Sequence, residues 1–249
     1  MDLERFIGLS TILNSNVTLF HGSNDIIENV HISRCRKYNE YGRGFYLTSD
    51  IKYAKECSLL TLDRSIVSEY TLNTQDLRYL NLTSLGPLAI IAEILTNIGA
   101  NTEAEDKAIA LFCEKYKVNI EDYDILEGPV ADYRIEILIN GFINNLLTVD
   151  EFTSLLSNIN NKNNTIVLKT EKAMNELRYI KHIGIENREE YITNLKQNNN
   201  SRVGLHRFLN DRKYSLIIGK LEGLDGITFR DSLIRNFKYE ASIGEYYSE

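Results

Sequence analysis

Two glycine-punctuated runs limit the folds open to this chain. Leu19-Phe20-His21-Gly22-Ser23 and Gly42-Arg43-Gly44-Phe45-Tyr46-Leu47-Thr48 each join strand-forming residues to glycines. Each therefore reads as a strand whose backbone turns sharply or approaches a ligand closely. They lie about one strand-helix unit apart and offer an imidazole, a hydroxyl and an aromatic ring, a set suited to gripping a nucleotide. Taken alone, His21 reads as a strand-end histidine satisfied by backbone. Followed directly by Gly-Ser after an apolar strand, it reads as a ligand-facing group. In the second run Phe45 and Leu47 alternate with Tyr46 and Thr48, so Tyr46 is expected on the opposite face from Phe45.

The chain's 249 residues suffice for one large domain, or a domain with an appendage, around a buried core. A net charge of −7 argues against a protein that binds nucleic acid by neutralising phosphates. It leaves room for a small nucleotide. Against this acidic background Arg34, Arg36, Lys37 and Arg43 form a basic stretch that reads either as a solvated loop or as a partner for a diphosphate. The start of the chain lacks a basic segment followed by an apolar core, and no apolar run is long enough to cross a bilayer, so neither a signal peptide nor a membrane partner is expected. The three cysteines, Cys35, Cys57 and Cys113, include no Cys-x-x-Cys pair and suggest a reduced, cytoplasmic setting. The four histidines have no metal-ligand spacing, and no metal is expected.

Further along, residues 66–72 alternate as a strand, 77–80 suggest another, and Gly86-Pro87 opens a helix over 88–98. Thr102-x-x-Glu105 and Thr148-x-x-Glu151 are capping boxes ahead of apolar helical stripes. The first two helices look like an inserted or lateral packing element. Asp132 follows Gly128-Pro129 and can cap a helix carrying Ile135, Leu138, Ile139 and Phe142. Residues 165–169 read as a strand, and Ala173, Met174, Leu177 and Ile180 mark a helix after it. Residues 188–195 and 202–213 read as two helices divided by a 197–201 loop. Residues 215–220 and 226–230 read as strands.

Four motifs in order carry a resemblance. These are His21-Gly22-Ser23; Gly42-x-Gly44-Phe45-Tyr46-Leu47-Thr48; Tyr123-Asp124-Ile125 with Gly128-Pro129-Val130-Ala131-Asp132; and Thr170-Glu171-Lys172-Ala173. They resemble the ADP-ribosyltransferase superfamily in its diphtheria-toxin and poly-ADP-ribose-polymerase branch. In particular they resemble an uncharacterised bacterial family of mono-ADP-ribosyltransferase-like domains. The resemblance spans about residues 17–182, roughly two thirds of the chain.

It implies an α+β fold, a split and mostly antiparallel sheet with flanking helices, over residues 1–185, with 186–249 as a C-terminal extension. It also implies NAD as substrate and transfer of one ADP-ribose to a protein, nucleic acid or small molecule, in a bacterial cytoplasmic enzyme or a delivered toxin-like effector. The alternatives are an NAD glycohydrolase and a catalytically silent module that binds NAD or ADP-ribose. By this likeness His21 donates a hydrogen bond to the ribose nearest nicotinamide and the Gly22 backbone holds the carboxamide. Tyr46 stacks on the nicotinamide ring, with Tyr53 as a second wall. Ser23, Arg34 and Gly44 complete the nucleotide contacts.

The branch's late-strand glutamate is absent from Asn163-Asn164-Thr165-Ile166, where related sequences place a glutamine near Thr165. Asp132 is the leading substitute for it, with Glu127 and Glu171 behind. Residues 186–249 carry no catalytic motif. They are read as a substrate-recognition element, as completing the sheet, or as the seat of a cognate antagonist or activating partner.

Overall fold

The computed structural model describes residues 16–59, 65–98, 103–130, 133–160, 164–185, 188–217, 224–240 and 243–248. In chain order these form β1 (Asn16–Ser23), β2 (Phe45–Leu47), α1 (Ile51–Leu59), β3 (Ile66–Asn73), β4 (Tyr79–Asn81), α2 (Pro87–Ile98) and α3 (Glu103–Tyr116). There follow β5 (Ile125–Pro129), α4 (Tyr133–Ile143), α5 (Val149–Asn160), β6 (Asn164–Leu168), α6 (Glu171–Asn175) and β7 (Leu177–Gly184). The chain closes with α7 (Arg188–Ile217), α8 (Phe229–Ile234), β8 (Phe237–Glu240) and β9 (Glu245–Ser248). This is an α+β fold. It groups into two compact units, Met1–Asn81 with Asn119–Gly128 and Asn163–Lys196, and Leu82–Val118 with Pro129–Lys162 and Gln197–Glu249.

The first unit holds two sheets. One is antiparallel, in the order β1-β3-β7, with Leu19 opposite Tyr70 and His21 opposite Ser68. The other runs β2-β6-β5-β4, antiparallel between β2 and β6 and parallel between β4 and β5. Among the described residues a single bridge joins the sheets. The Phe20 amide donates to the Thr48 carbonyl at 2.8 Å, and the Thr48 amide returns the bond at 3.0 Å. Alternation along each strand sends Leu19, Phe45, Leu47, Tyr70, Ile166 and Leu168 into a common core. Burying each such side chain stabilises the fold by roughly 1.5–3 kcal/mol.

The helix expected across 173–180 is only partly present. α6 ends at Asn175, and Leu177 begins β7 along the edge of β3. Here period two outweighs period 3.6, because Leu177 and Tyr179 are half-buried while Arg178 and Ile180 face out.

The second unit is mainly helical. Four phenylalanines, Phe112, Phe142, Phe152 and Phe229, build its aromatic centre, with ring centroids 5.4–6.2 Å apart along their contacts. The capping box at α5 forms as expected, since the Glu151 amide donates to Thr148 Oγ1 at 3.2 Å and the Thr148 amide to Glu151 Oε2 at 2.9 Å. Thr102 lies outside the described residues. Glu151 also pairs with Arg212 of α7 at 2.7 Å.

Three C-terminal expectations are corrected. α7 runs unbroken through 197–201, where Asn and Gln disfavour helix by only about 0.5 kcal/mol each, and it continues to Ile217 where a strand was expected. Residues 226–230 form no strand. Gly226 turns with φ of 125°, and Thr228 caps α8 through a reciprocal box with Asp231. The rings of Tyr239 and Tyr246 in the β8–β9 hairpin meet at 4.9 Å with a 50° tilt, and Tyr246 Oη accepts the Leu88 amide at 2.9 Å.

Candidate functional site

At the end of β1 the absence of a side chain at Gly22 lets the strand lie against α1. A Cβ there would sit 2.0 Å from the Ala54 carbonyl oxygen and 2.8 Å from the Ser58 nitrogen. Gly44 is equally constrained, by Val167 Cγ1 at 2.4 Å and the Leu168 oxygen at 2.8 Å. Both glycines were expected to admit a ligand. Each admits neighbouring protein, α1 beside β1 and β6 beside β2, and both glycines still line a cavity of about 980 Å³ whose walls include residues of β1, β2 and α1. His21, Gly22, Ser23, Arg34, Gly44 and Tyr46 all line it.

His21 Nδ1 lies 2.8 Å from the Tyr46 carbonyl. A carbonyl only accepts, so Nδ1 carries the proton. Burial lowers the imidazole's pKa below its ordinary 6.5; the Tyr46 hydrogen bond opposes this in part, and the Arg36 charge adds to it. The ring is therefore neutral near pH 7, with Nε2 as the acceptor nitrogen. In this tautomer Nε2 carries no proton to donate. The imidazole also lies on the Phe45 ring, at 4.6 Å and 34°.

Tyr46 is fixed by its own hydroxyl, which accepts the Tyr41 amide at 3.0 Å and donates to the Gly42 carbonyl at 2.8 Å. Gly42 supplies the positive φ, 71°, that the loop needs. Lys169 Nζ in turn holds the Tyr41 carbonyl at 2.5 Å. The aromatic face of Tyr46 is thus presented with little rotational freedom. Ser23 donates to the Asp25 carbonyl at 2.6 Å.

Residues 24–39 wrap the other side. Tyr70 donates its hydroxyl proton to the Ile27 carbonyl at 2.6 Å, and burial raises that phenol's pKa to about 12. Within this segment the 3-10 turn Ile32–Arg34 brings Arg34 and then Arg36 to the lining. Lys37 instead lies over the Tyr38 ring at 5.4 Å, and Arg43 is exposed and outside the lining.

Tyr53 does not line the cavity. One turn later on α1, Cys57 does, because Ala54 and Ser58 are the residues buried beneath Gly22. Asp132 lies outside the described residues. Glu127 is 8% exposed and off the lining, its carboxylate taken up by the Tyr79 hydroxyl and by Asn164 Nδ2, the latter at 2.5 Å. Thr165 is buried and off the lining. Glu171 is also off the lining, its Oε1 accepting the Ile32 amide at 3.0 Å and its Oε2 3.9 Å from His31 Nδ1, a lining residue.

Among the described lining residues Glu28 is the one carboxylate. Sequence reading missed it, together with Asn39 and Cys57. Glu28 and Asn39 sit in irregular backbone without periodicity to mark them, whereas the helical spacing of Cys57 from Ala54 was a usable signal. No described helix is long and apolar enough to cross a membrane. The described residues hold no group of three or more His, Cys, Asp or Glu side chains able to bind a metal ion.

No curated protein and no solved structure matches the chain. A family model described as "Protein of unknown function (DUF3990)" matches residues 17–179, from β1 into β7 and across all four motifs. That match covers well over half of the chain, and the protein belongs to this family.

Proposed function

We propose that the chain is an NAD-dependent mono-ADP-ribosyltransferase. The carrying observation is that one cavity gathers His21, Tyr46, Gly22, Arg34 and Arg36, residues from three separate stretches of backbone. In this reading the Tyr46 ring stacks on nicotinamide. His21 Nε2 accepts a ribose hydroxyl proton, the Gly22 backbone holds the carboxamide, and Arg34 and Arg36 pair with the diphosphate. The glycosidic bond from ribose C1′ to the nicotinamide nitrogen breaks and its electron pair leaves with nicotinamide. The acceptor's nucleophilic atom then bonds C1′ and gives its proton to solvent. Positive charge develops on the ribose between these events, and a nearby carboxylate would stabilise it. Glu28 and Asp132 are the proposed carboxylates, to be separated by Glu28→Gln and Asp132→Asn variants.

A second reading, a silent NAD or ADP-ribose binder, gains support from Glu127, whose carboxylate is already occupied by Tyr79 and Asn164. The test is nicotinamide release from NAD by the purified protein, with and without cell lysate. Lysate-dependent release with ADP-ribose appearing on an acceptor, lost in His21→Ala and Tyr46→Ala variants, is the expected result. Release without lysate would make the protein a glycohydrolase. Calorimetric NAD binding with no release in either condition would favour the silent binder.

A further inference from the structure

Two sequence motifs, Tyr123-Asp124-Ile125 and Thr170-Glu171-Lys172-Ala173, contribute no side chain to the cavity lining. In the structure they meet one another. Asp124, only 4% exposed, accepts the Thr170 hydroxyl proton on Oδ1 at 2.7 Å and the Arg78 amide on Oδ2 at 2.9 Å. Its carbonyl accepts the Lys169 amide at 2.9 Å, and Lys172 Nζ lies 3.7 Å from Oδ2. Thr170 Oγ1 meanwhile caps α6 by accepting the Ala173 amide at 3.2 Å. These bonds fix the first residue of α6, Glu171. Its Oε1 reaches across 139 residues of sequence to the Ile32 amide, at 3.0 Å.

The Ile32 amide opens the 3-10 turn that carries Arg34, and the first N–H groups of a turn have no partner within it. Glu171 supplies that partner. The turn's own bonds, Arg34 amide to His31 carbonyl at 3.0 Å and Cys35 amide to Ile32 carbonyl at 3.1 Å, then hold Arg34 in place. The His31–Glu171 approach of 3.9 Å is between side chains about half exposed, and contributes little by itself.

We infer that Glu171, braced by Asp124 through Thr170, is a positioning residue. It clasps the arginine-bearing turn over the cavity and so sets affinity for the diphosphate of a dinucleotide or nucleoside diphosphate sugar. The inference rests on the NAD-site reading for its ligand. A preordered turn leaves less freedom to be lost when Arg34 engages phosphate oxygens. The clasp uses an acceptor oxygen and not a charge, so Glu171→Gln retains it and Glu171→Ala removes it.

The experiment compares wild type, Glu171→Gln and Glu171→Ala in two ways. Hydrogen exchange at the Ile32 amide is measured without ligand, and calorimetry measures binding of ADP-ribose and, separately, nicotinamide. Expected are fast exchange and about tenfold weaker ADP-ribose binding in Glu171→Ala alone, with nicotinamide affinity equal in all three because its contacts lie on β1 and β2. Equal exchange in all three proteins overturns the clasp. Faster exchange with unchanged ADP-ribose affinity overturns its role in binding. Absence of ADP-ribose and NAD binding by wild type overturns the NAD reading and the ligand half of the inference with it, while the exchange pattern still decides whether the clasp exists.

Discussion

His21 combines three contacts in one side chain: a hydrogen bond to the backbone of β2, a ring contact with Phe45 and a place on the cavity wall. Its lowered pKa has a consequence for stability. The unfolded chain binds a proton at His21 near pH 6.5, whereas the folded chain binds it only at lower pH. The folded state is therefore favoured above the unfolded pKa, and this contribution is lost as pH falls through the folded value. Unfolding free energy, measured by denaturant titration at several pH values, is expected to rise with pH through that window, by at most about 1.4 kcal/mol per pH unit for one proton. The slope should shrink in His21→Gln. An unchanged slope in that variant would show that His21 is not the titrating group.

Among the elements, the pairing of β1 with α1 is the most sensitive to a single atom. Gly22→Ala puts a methyl 2.0 Å from a helix carbonyl that cannot swing aside, and a stability loss of about 3 kcal/mol or more is expected in chemical denaturation. A near-neutral result would mean that β1 and α1 separate easily. Most strands and helices of the first unit were legible because their apolar residues repeat at two or at 3.6. Their glycines were legible as close approaches but not as approaches to what: a missing side chain looks the same beside a ligand as beside a helix. β7 was misread because Ala173, Met174, Leu177 and Ile180 fit a helical stripe, and only pairing with β3 tells the two periods apart. Arg34 and Arg36 could be named from composition, whereas Glu171's grip on Ile32 is a long-range bond with no trace in local pattern. At α7 the weak local preference of the 197–201 segment was overridden along a helix of 30 residues.

At the level of the whole chain, each unit is assembled from three stretches of sequence. Removing 197–249 takes from the second unit Leu209, Arg212 and Phe229, and with them the ion pair to Glu151 and part of the phenylalanine cluster. It also removes the Ser232 and Leu233 carbonyls that accept from Lys115 Nζ at 2.9 and 3.1 Å. A chain ending at residue 196 is expected to bind the dye ANS and to lose near-ultraviolet circular dichroism from its aromatic residues. Cooperative melting with the native near-ultraviolet signal retained would instead make the C-terminal stretch a dispensable appendage.

Phe45 is 5% exposed, belongs to the apolar core, touches the imidazole of His21 and also lines the cavity. It is a party wall, and the two sides cannot drift independently over evolutionary time. A substitution tolerated for core volume would still move the histidine, and one selected for a new ligand would be felt in the core. Adaptation of this pocket therefore runs most freely through residues 24–39, whose lining side chains are largely exposed, while the face formed by Phe45 changes only with compensation behind it.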